Sequence, residues 1–145
     1  MSARKRWRAA FPVAPGVVES AAAWLDGGVC AGALPDRIAF ALGLCVEELL
    51  MNTLMHGVSA EAALVAAIEI ELFPDRVELV YQDNAQPFDI TQLPEARPER
   101  PLAEIAPGGL GVRLVRRFSD RMEYEKIPTG NRVTCVFMRA ETGKP

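Results

Sequence analysis

Val46-Glu47-Glu48-Leu49-Leu50-Met51-Asn52-Thr53-Leu54-Met55-His56-Gly57 ends a long stretch whose apolar residues recur every three or four positions. The stretch begins at Pro35-Asp36. Proline suits a first helical turn, and an early aspartate favours the positive end of the helix dipole. Ile38, Leu42, Cys45, Leu49 and Asn52 fall on one stripe, and Gly57 is well placed as a left-handed stop. At about 100° per residue, Glu48, Asn52 and His56 share a face, while Glu47 lies about 140° from Asn52 and points elsewhere. An Asn and a Glu on an apolar helix face are costly to bury unless each meets a partner or a ligand. A Mg²⁺ ion carried by a nucleotide phosphate would satisfy the amide oxygen, and the carboxylate could serve as a general base. The other reading is plainer: polar residues at a helix end, with His56 on the last carbonyls.

Outward from this helix the pattern changes period. Leu64, Ala66, Ile68, Ile70 and Leu72 alternate with polar residues, and Val77, Leu79 and Tyr81 answer them, which predicts two strands. Phe73-Pro74-Asp75-Arg76 between them reads as a hairpin turn. Upstream, Pro15-Gly16 opens a helix of about fifteen residues, and a first strand is expected near Trp7–Phe11. The basic residues Arg4, Lys5, Arg6 and Arg8 read as a solvated lead-in or as an arm that touches nucleic acid. Downstream, Gln86 to Pro107 is rich in proline and charge with little periodicity. A loop of ~20 residues in a compact domain is rare unless it is a lid, a binding loop or disordered, so about 86–107 reads as a mobile, functional lid. Gly108-Gly109-Leu110-Gly111 then opens a short helix, and strands at Arg121–Lys126 and Arg132–Arg139 close the chain around the turn Pro128-Thr129-Gly130-Asn131. Helices grouped on one face of a mixed, mostly antiparallel sheet make an α+β two-layer sandwich.

The 145 residues suit one domain spanning 1–145. Half of them are hydrophobic and the net charge is -3, which argues against a dedicated nucleic-acid binder. Cys30, Cys45 and Cys135 form no paired motif, so a zinc site or disulfide framework is not expected, and a reducing cytoplasm suits the chain. No run approaches the ~18 consecutive apolar residues of a membrane helix.

Two further constellations carry chemistry. Asp83-Asn84-Ala85-Gln86-Pro87-Phe88-Asp89 follows a strand directly. Its Asp83 could accept a hydrogen bond from an exocyclic amine such as that of adenine, or could simply shape the turn. In Gly108-Gly109-Leu110-Gly111, glycines let the backbone approach an anion at a helix start. No strand directly precedes it, so it is not a dinucleotide fingerprint.

Glu-x-x-x-Asn on a helix, a strand ending in Asp and a loop leading to Gly-x-Gly, in that order, resemble the ATP-binding fold of gyrase, chaperone and histidine-kinase ATPases. The closer resemblance is to the small branch of bacterial anti-sigma factor serine kinases. It rests on residues 46–57, 83–89 and 108–120 and on the ending from Tyr124 to Asn131-Arg132-Val133. The resemblance implies Glu48 as catalytic base and Asn52 as Mg²⁺ ligand, with His56 beside them in the nucleotide site. Asp83 becomes the adenine anchor, Ala85 its neighbour, and Gly109-Leu110-Gly111 the phosphate-contacting turn. Asn131 falls where many relatives carry a Thr that helps bind adenine. Ala85 stands where the family usually has Gly, and its methyl would crowd the base or restrict the backbone. Pro87 replaces another glycine of the wider superfamily, although the small branch often carries Pro-Phe here. The resemblance further implies ATP and Mg²⁺ as cofactors, and a sigma factor and an anti-anti-sigma protein as partners. Phosphorylation of a serine on the latter is the implied activity, with homodimers frequent among relatives. The alternative is a nucleotide-gated module of the same fold that sequesters a partner without phosphotransfer.

Overall fold

Among the described residues, alternating apolar and polar positions build five strands, and the two longer helices supply the apolar stripes that cover one face of the sheet. The computed structural model describes residues 5–29, 34–59, 62–92, 115 and 117–140. The elements are β1 (Lys5–Pro12), α1 (Val17–Trp24), α2 (Asp36–His56), β2 (Val65–Leu72), β3 (Arg76–Asp83), β4 (Arg121–Ile127) and β5 (Gly130–Met138). The strands lie in the order β1-β2-β3-β5-β4. Each of these four pairings is antiparallel, so the sheet has no parallel pair among the described strands.

The inner face of the sheet carries Ile68, Ile70, Leu79 and Cys135, all fully buried. Leu42, Cys45 and Leu50 of α2 are equally buried against them. Each large aliphatic side chain withdrawn from water this way contributes about 1.5–3 kcal/mol before entropy is counted. The outer face is polar and pairs its own charges: Arg6 meets Glu69 at 2.6 Å and Arg132 meets Glu125 at 3.0 Å. Exposed pairs of this kind are worth at most about 1 kcal/mol each, and they keep that face wet and unfit for a core. By length and composition α2 could cross a membrane, but half of its most apolar window is buried in the fold.

Three local expectations change. The first helix runs only from Val17 to Trp24 and continues as a π-helical turn over Leu25–Val29, where Gly27 and Gly28 weaken the regular ladder. Gly57 does end α2, but in an extended conformation (φ -69°, ψ 135°) and not a left-handed one. Its missing side chain matters for space: a Cβ there would sit 2.5 Å from the Thr53 carbonyl oxygen. On the α2 stripe, it is Thr53, four residues after Leu49, that is buried, while Asn52 is half-buried.

The Phe73–Arg76 turn forms as expected, with the Phe73 amide donating to the Arg76 carbonyl at 2.8 Å. Val115, Arg117 and Phe118 are helical. Residues 93–107 of the expected lid, and Gly108 to Gly111, lie outside the described residues, as does Cys30. The described start of that stretch is not loose loop. Ile90 is buried in the core and opens a 3₁₀ turn, and the Gln86 amide donates to the Val58 carbonyl at 2.7 Å.

Candidate functional site

The end of β3 and the C-terminal half of α2 enclose a cavity of about 120 Å³. An apolar cavity of about 150 Å³ holds a benzene, so this one suits a flat ring with the rest of its molecule outside. Leu49, Tyr81, Ile90 and Val133 give it apolar walls, and Asn52, Thr53, Asp83 and Asn131 give it polar ones. His56, Ala85, Pro87 and Phe88 are also among the lining residues.

Asp83 is at the centre of a hydrogen-bond network. Its Oδ1 accepts from the Asn131 side-chain amide at 2.8 Å and from the Ala85 backbone N–H at 3.2 Å. Its Oδ2 accepts from the Thr53 hydroxyl at 2.8 Å. The Thr53 hydroxyl lies 2.7 Å from the Tyr81 hydroxyl and 3.2 Å from the Leu49 carbonyl. Burial pushes the Tyr81 phenol well above its ordinary pKa, so it keeps its proton. Asn131 also holds the loop beyond β3: its amide donates to the Gln86 carbonyl at 3.1 Å, and its oxygen accepts from the Phe88 N–H at 2.9 Å and from Tyr124 at 2.5 Å. Among the described residues no buried side-chain nitrogen or oxygen lacks a partner.

Gly130 makes this convergence possible. Its φ is +149°, and a Cβ there would lie 2.1 Å from the Asp83 carbonyl oxygen. Only glycine lets β5 start so close to the end of β3. Asn84 ties the loop before β2 to the end of β3, its side-chain amide bridging the Val65 N–H and the Ala63 carbonyl, both at 2.8 Å. Ala85 is buried and lines the cavity, but no described non-glycine residue has a positive φ. The expected restriction of the backbone by its methyl is therefore absent, because this turn does not need a glycine conformation.

The spacing puts Glu48, Asn52 and His56 on one face of α2. Asn52 and His56 line the cavity, while Glu48, half-buried one turn earlier, does not. Glu47 is exposed. Burial first, and the neighbouring Glu47 charge second, raise the Glu48 pKa above the ordinary carboxylate value. Among the described residues no three His, Cys, Asp or Glu side chains gather as a metal cage. One amide oxygen beside a cavity fits Mg²⁺ that arrives on phosphates, since that ion keeps most of its shell as water and phosphate oxygen.

Sequence reading did not single out Thr53, Tyr81, Tyr124 or Gly130 as site residues. Thr53 could have been found, since it continues the i, i+4 stripe from Leu49. The tyrosines look like ordinary strand residues until the sheet is assembled.

Residues 11–137 match the model of the histidine kinase-like ATPase domain. The chain belongs to that family. The resemblance read from the three motifs, and the fold it implied, are borne out. Among curated relatives, a serine/threonine-protein kinase of Bordetella bronchiseptica, BtrW, is 32% identical over 78% of this chain and 80% of its own length. The serine-protein kinase RsbW of Bacillus licheniformis is 26% identical over 58% of this chain, and the match spans 55% of that kinase. A Mycobacterium tuberculosis crystal structure of RsbU and RsbW domains superposes with a TM-score of 0.62 at 10% identity, over 94% of this chain and 33% of that one. The histidine kinase domain of a blue-light activated kinase from Erythrobacter litoralis gives 0.52 at 20% identity, over 89% of this chain and 62% of that one. At those identities the two structures speak for the fold alone.

Proposed function

We propose that this domain, spanning 1–145, is an ATP-dependent protein serine/threonine kinase of the anti-sigma type. The observation that carries the reading is the ring-sized cavity with the Asp83 carboxylate in its wall and the Asn52 amide on the facing helix. The 6-amino group of adenine donates to Asp83 while the ring lies against Leu49, Ile90 and Val133. Asn52 would hold Mg²⁺ through its amide oxygen, and that ion, when bound, offsets phosphate charge. Gly109-Leu110-Gly111 would supply backbone N–H groups to the phosphates. Glu48 takes the proton from the attacking serine hydroxyl as its oxygen bonds to the γ-phosphorus and the bond to the β–γ bridging oxygen breaks, releasing ADP. Phosphoryl transfer rests mainly on positioning and electrostatics, which suits so small a set of groups. The raised Glu48 pKa helps such a base, because it holds a proton more tightly.

The substrate in this reading is a serine on an anti-anti-sigma protein, with a sigma factor as the sequestered partner, in the cytoplasm. Names of relatives support the kinase chemistry. One observation favours the binding module instead: Glu48 stands outside the cavity lining. Calorimetry with Mg²⁺–ATP tests the site first. The parent binds, and Asp83→Asn weakens binding by about tenfold or more, because an amide has one acceptor atom where the carboxylate has two. No heat and no rise in melting temperature at millimolar Mg²⁺–ATP would overturn the reading. Transfer of label from γ-labelled ATP to the anti-anti-sigma partner separates kinase from module.

A further inference from the structure

Asp83 is the last residue of β3, where the strand ladder stops, so other groups must fix the direction of its carboxylate. A carboxylate has about four lone-pair positions. Among the described residues, donors fill two on Oδ1 and one on Oδ2, which leaves one on Oδ2. The Oδ2 donor is Thr53, and Thr53 owns a single hydrogen. The buried Tyr81 hydroxyl, 2.7 Å away, has Thr53 as its partner. The Leu49 carbonyl, 3.2 Å from the Thr53 oxygen, competes for that hydrogen, but the charged Oδ2 is nearer at 2.8 Å; Thr53 therefore donates to Asp83, and Tyr81 donates to Thr53. Thr53 and Asp83 both line the cavity.

We propose that Thr53 is a positioning residue that sets purine selectivity by holding Oδ2 of Asp83 as a pure acceptor towards the cavity. The inference rests on the cavity being the nucleotide site. A base edge with an exocyclic amine then completes the carboxylate. A 6-oxo edge meets it lone pair to lone pair and is rejected. Without the Thr53 hydroxyl, Oδ2 has two open positions. The carboxyl can then turn, and it no longer presents one fixed acceptor to the base edge.

The experiment measures affinity for Mg²⁺–ATP and Mg²⁺–GTP separately, on the full chain, by calorimetry. Thr53→Val keeps the shape and removes the hydroxyl. It is expected to weaken ATP binding about tenfold, the scale of one hydrogen bond to a charged group. The ATP-to-GTP preference should fall by a similar factor, and Thr53→Ser should restore it. Thr53→Val also strands the Tyr81 hydroxyl, so the double variant Thr53→Val/Tyr81→Phe removes both polar partners and keeps the fold. Its melting temperature should be near the parent's while the preference stays low. A merely structural role would lower both affinities together and leave their ratio at the parent's value; that result in the folded double variant overturns the inference. A parent that binds neither nucleotide refutes the nucleotide site itself, and this inference with it.

Discussion

At the strand end of the cavity, Asp83 is gripped by Thr53, Asn131 and the Ala85 amide, with two tyrosines behind them. At the helix end, Glu48 and Asn52 are half-buried and His56 is exposed, all on one face of α2. The strand end is ordered before any ligand arrives, with one position on Oδ2 of Asp83 left for a donor. Its groups are already oriented, so a base that fits loses little free energy to ordering the protein. In the proposed reading, phosphates and a metal come to the more exposed helix end and bring their own charge and water. In that reading the strand end recognises the base and the helix end carries the transfer.

The largest expected effect would come from the open end. Glu48→Gln should lower phosphotransfer to the partner by about 10²–10⁴-fold, the usual worth of a general base. Nucleotide affinity should hardly change. The fold should hold as well: a carboxyl with its pKa raised in the folded state stabilises the protein when protonated, and loses that as pH rises through the folded value. At neutral pH the amide therefore removes a cost, and the melting temperature should stay level or rise slightly. Asn52→Ala should instead weaken Mg²⁺–ATP binding, read by calorimetry. If Glu48→Gln transfers phosphate like the parent, the open end is not catalytic and the domain is a binding module.

The closed end should fail through stability. Gly130→Ala drives a methyl towards the Asp83 carbonyl oxygen at a positive φ, so it should cost more than about 1 kcal/mol in urea unfolding. Nucleotide binding should weaken with it, because Asp83 and Asn131 are both displaced. A Gly130→Ala protein with parental stability would mean the strand end is softer than its geometry suggests.

The smallest effect sharpens the contrast. Transfer needs Glu48 ionised, so it should be lost as pH falls through a pKa above the ordinary 4.5. Glu47 is the second cause of that rise and sits on the exposed side. Glu47→Gln should therefore move the acid limb of the rate profile a little to lower pH and leave the plateau unchanged. An unmoved limb would assign it to another group.

The helix that carries Glu48, Asn52 and His56 was legible because helical geometry is local. A 3.6-residue period puts side chains four apart on one face whatever surrounds them. The same holds for the period-two strands, and for Asp83 at a strand end before a turn. Those residues, followed by Gly109-Leu110-Gly111, carried the resemblance to the family and its fold. What the sequence could not contain was which side chains meet Asp83. Thr53 lies 30 positions before it and Asn131 48 positions after it. The two converge only because α2 crosses the sheet and β5 pairs with β3 in a register that sets Asn131 opposite Asp83. Gly130 looked like a turn residue, and only the packed sheet shows that its missing side chain is the space Asp83 occupies. Periodicity is written residue by residue, but a buried polar network exists only where distant segments have excluded water together.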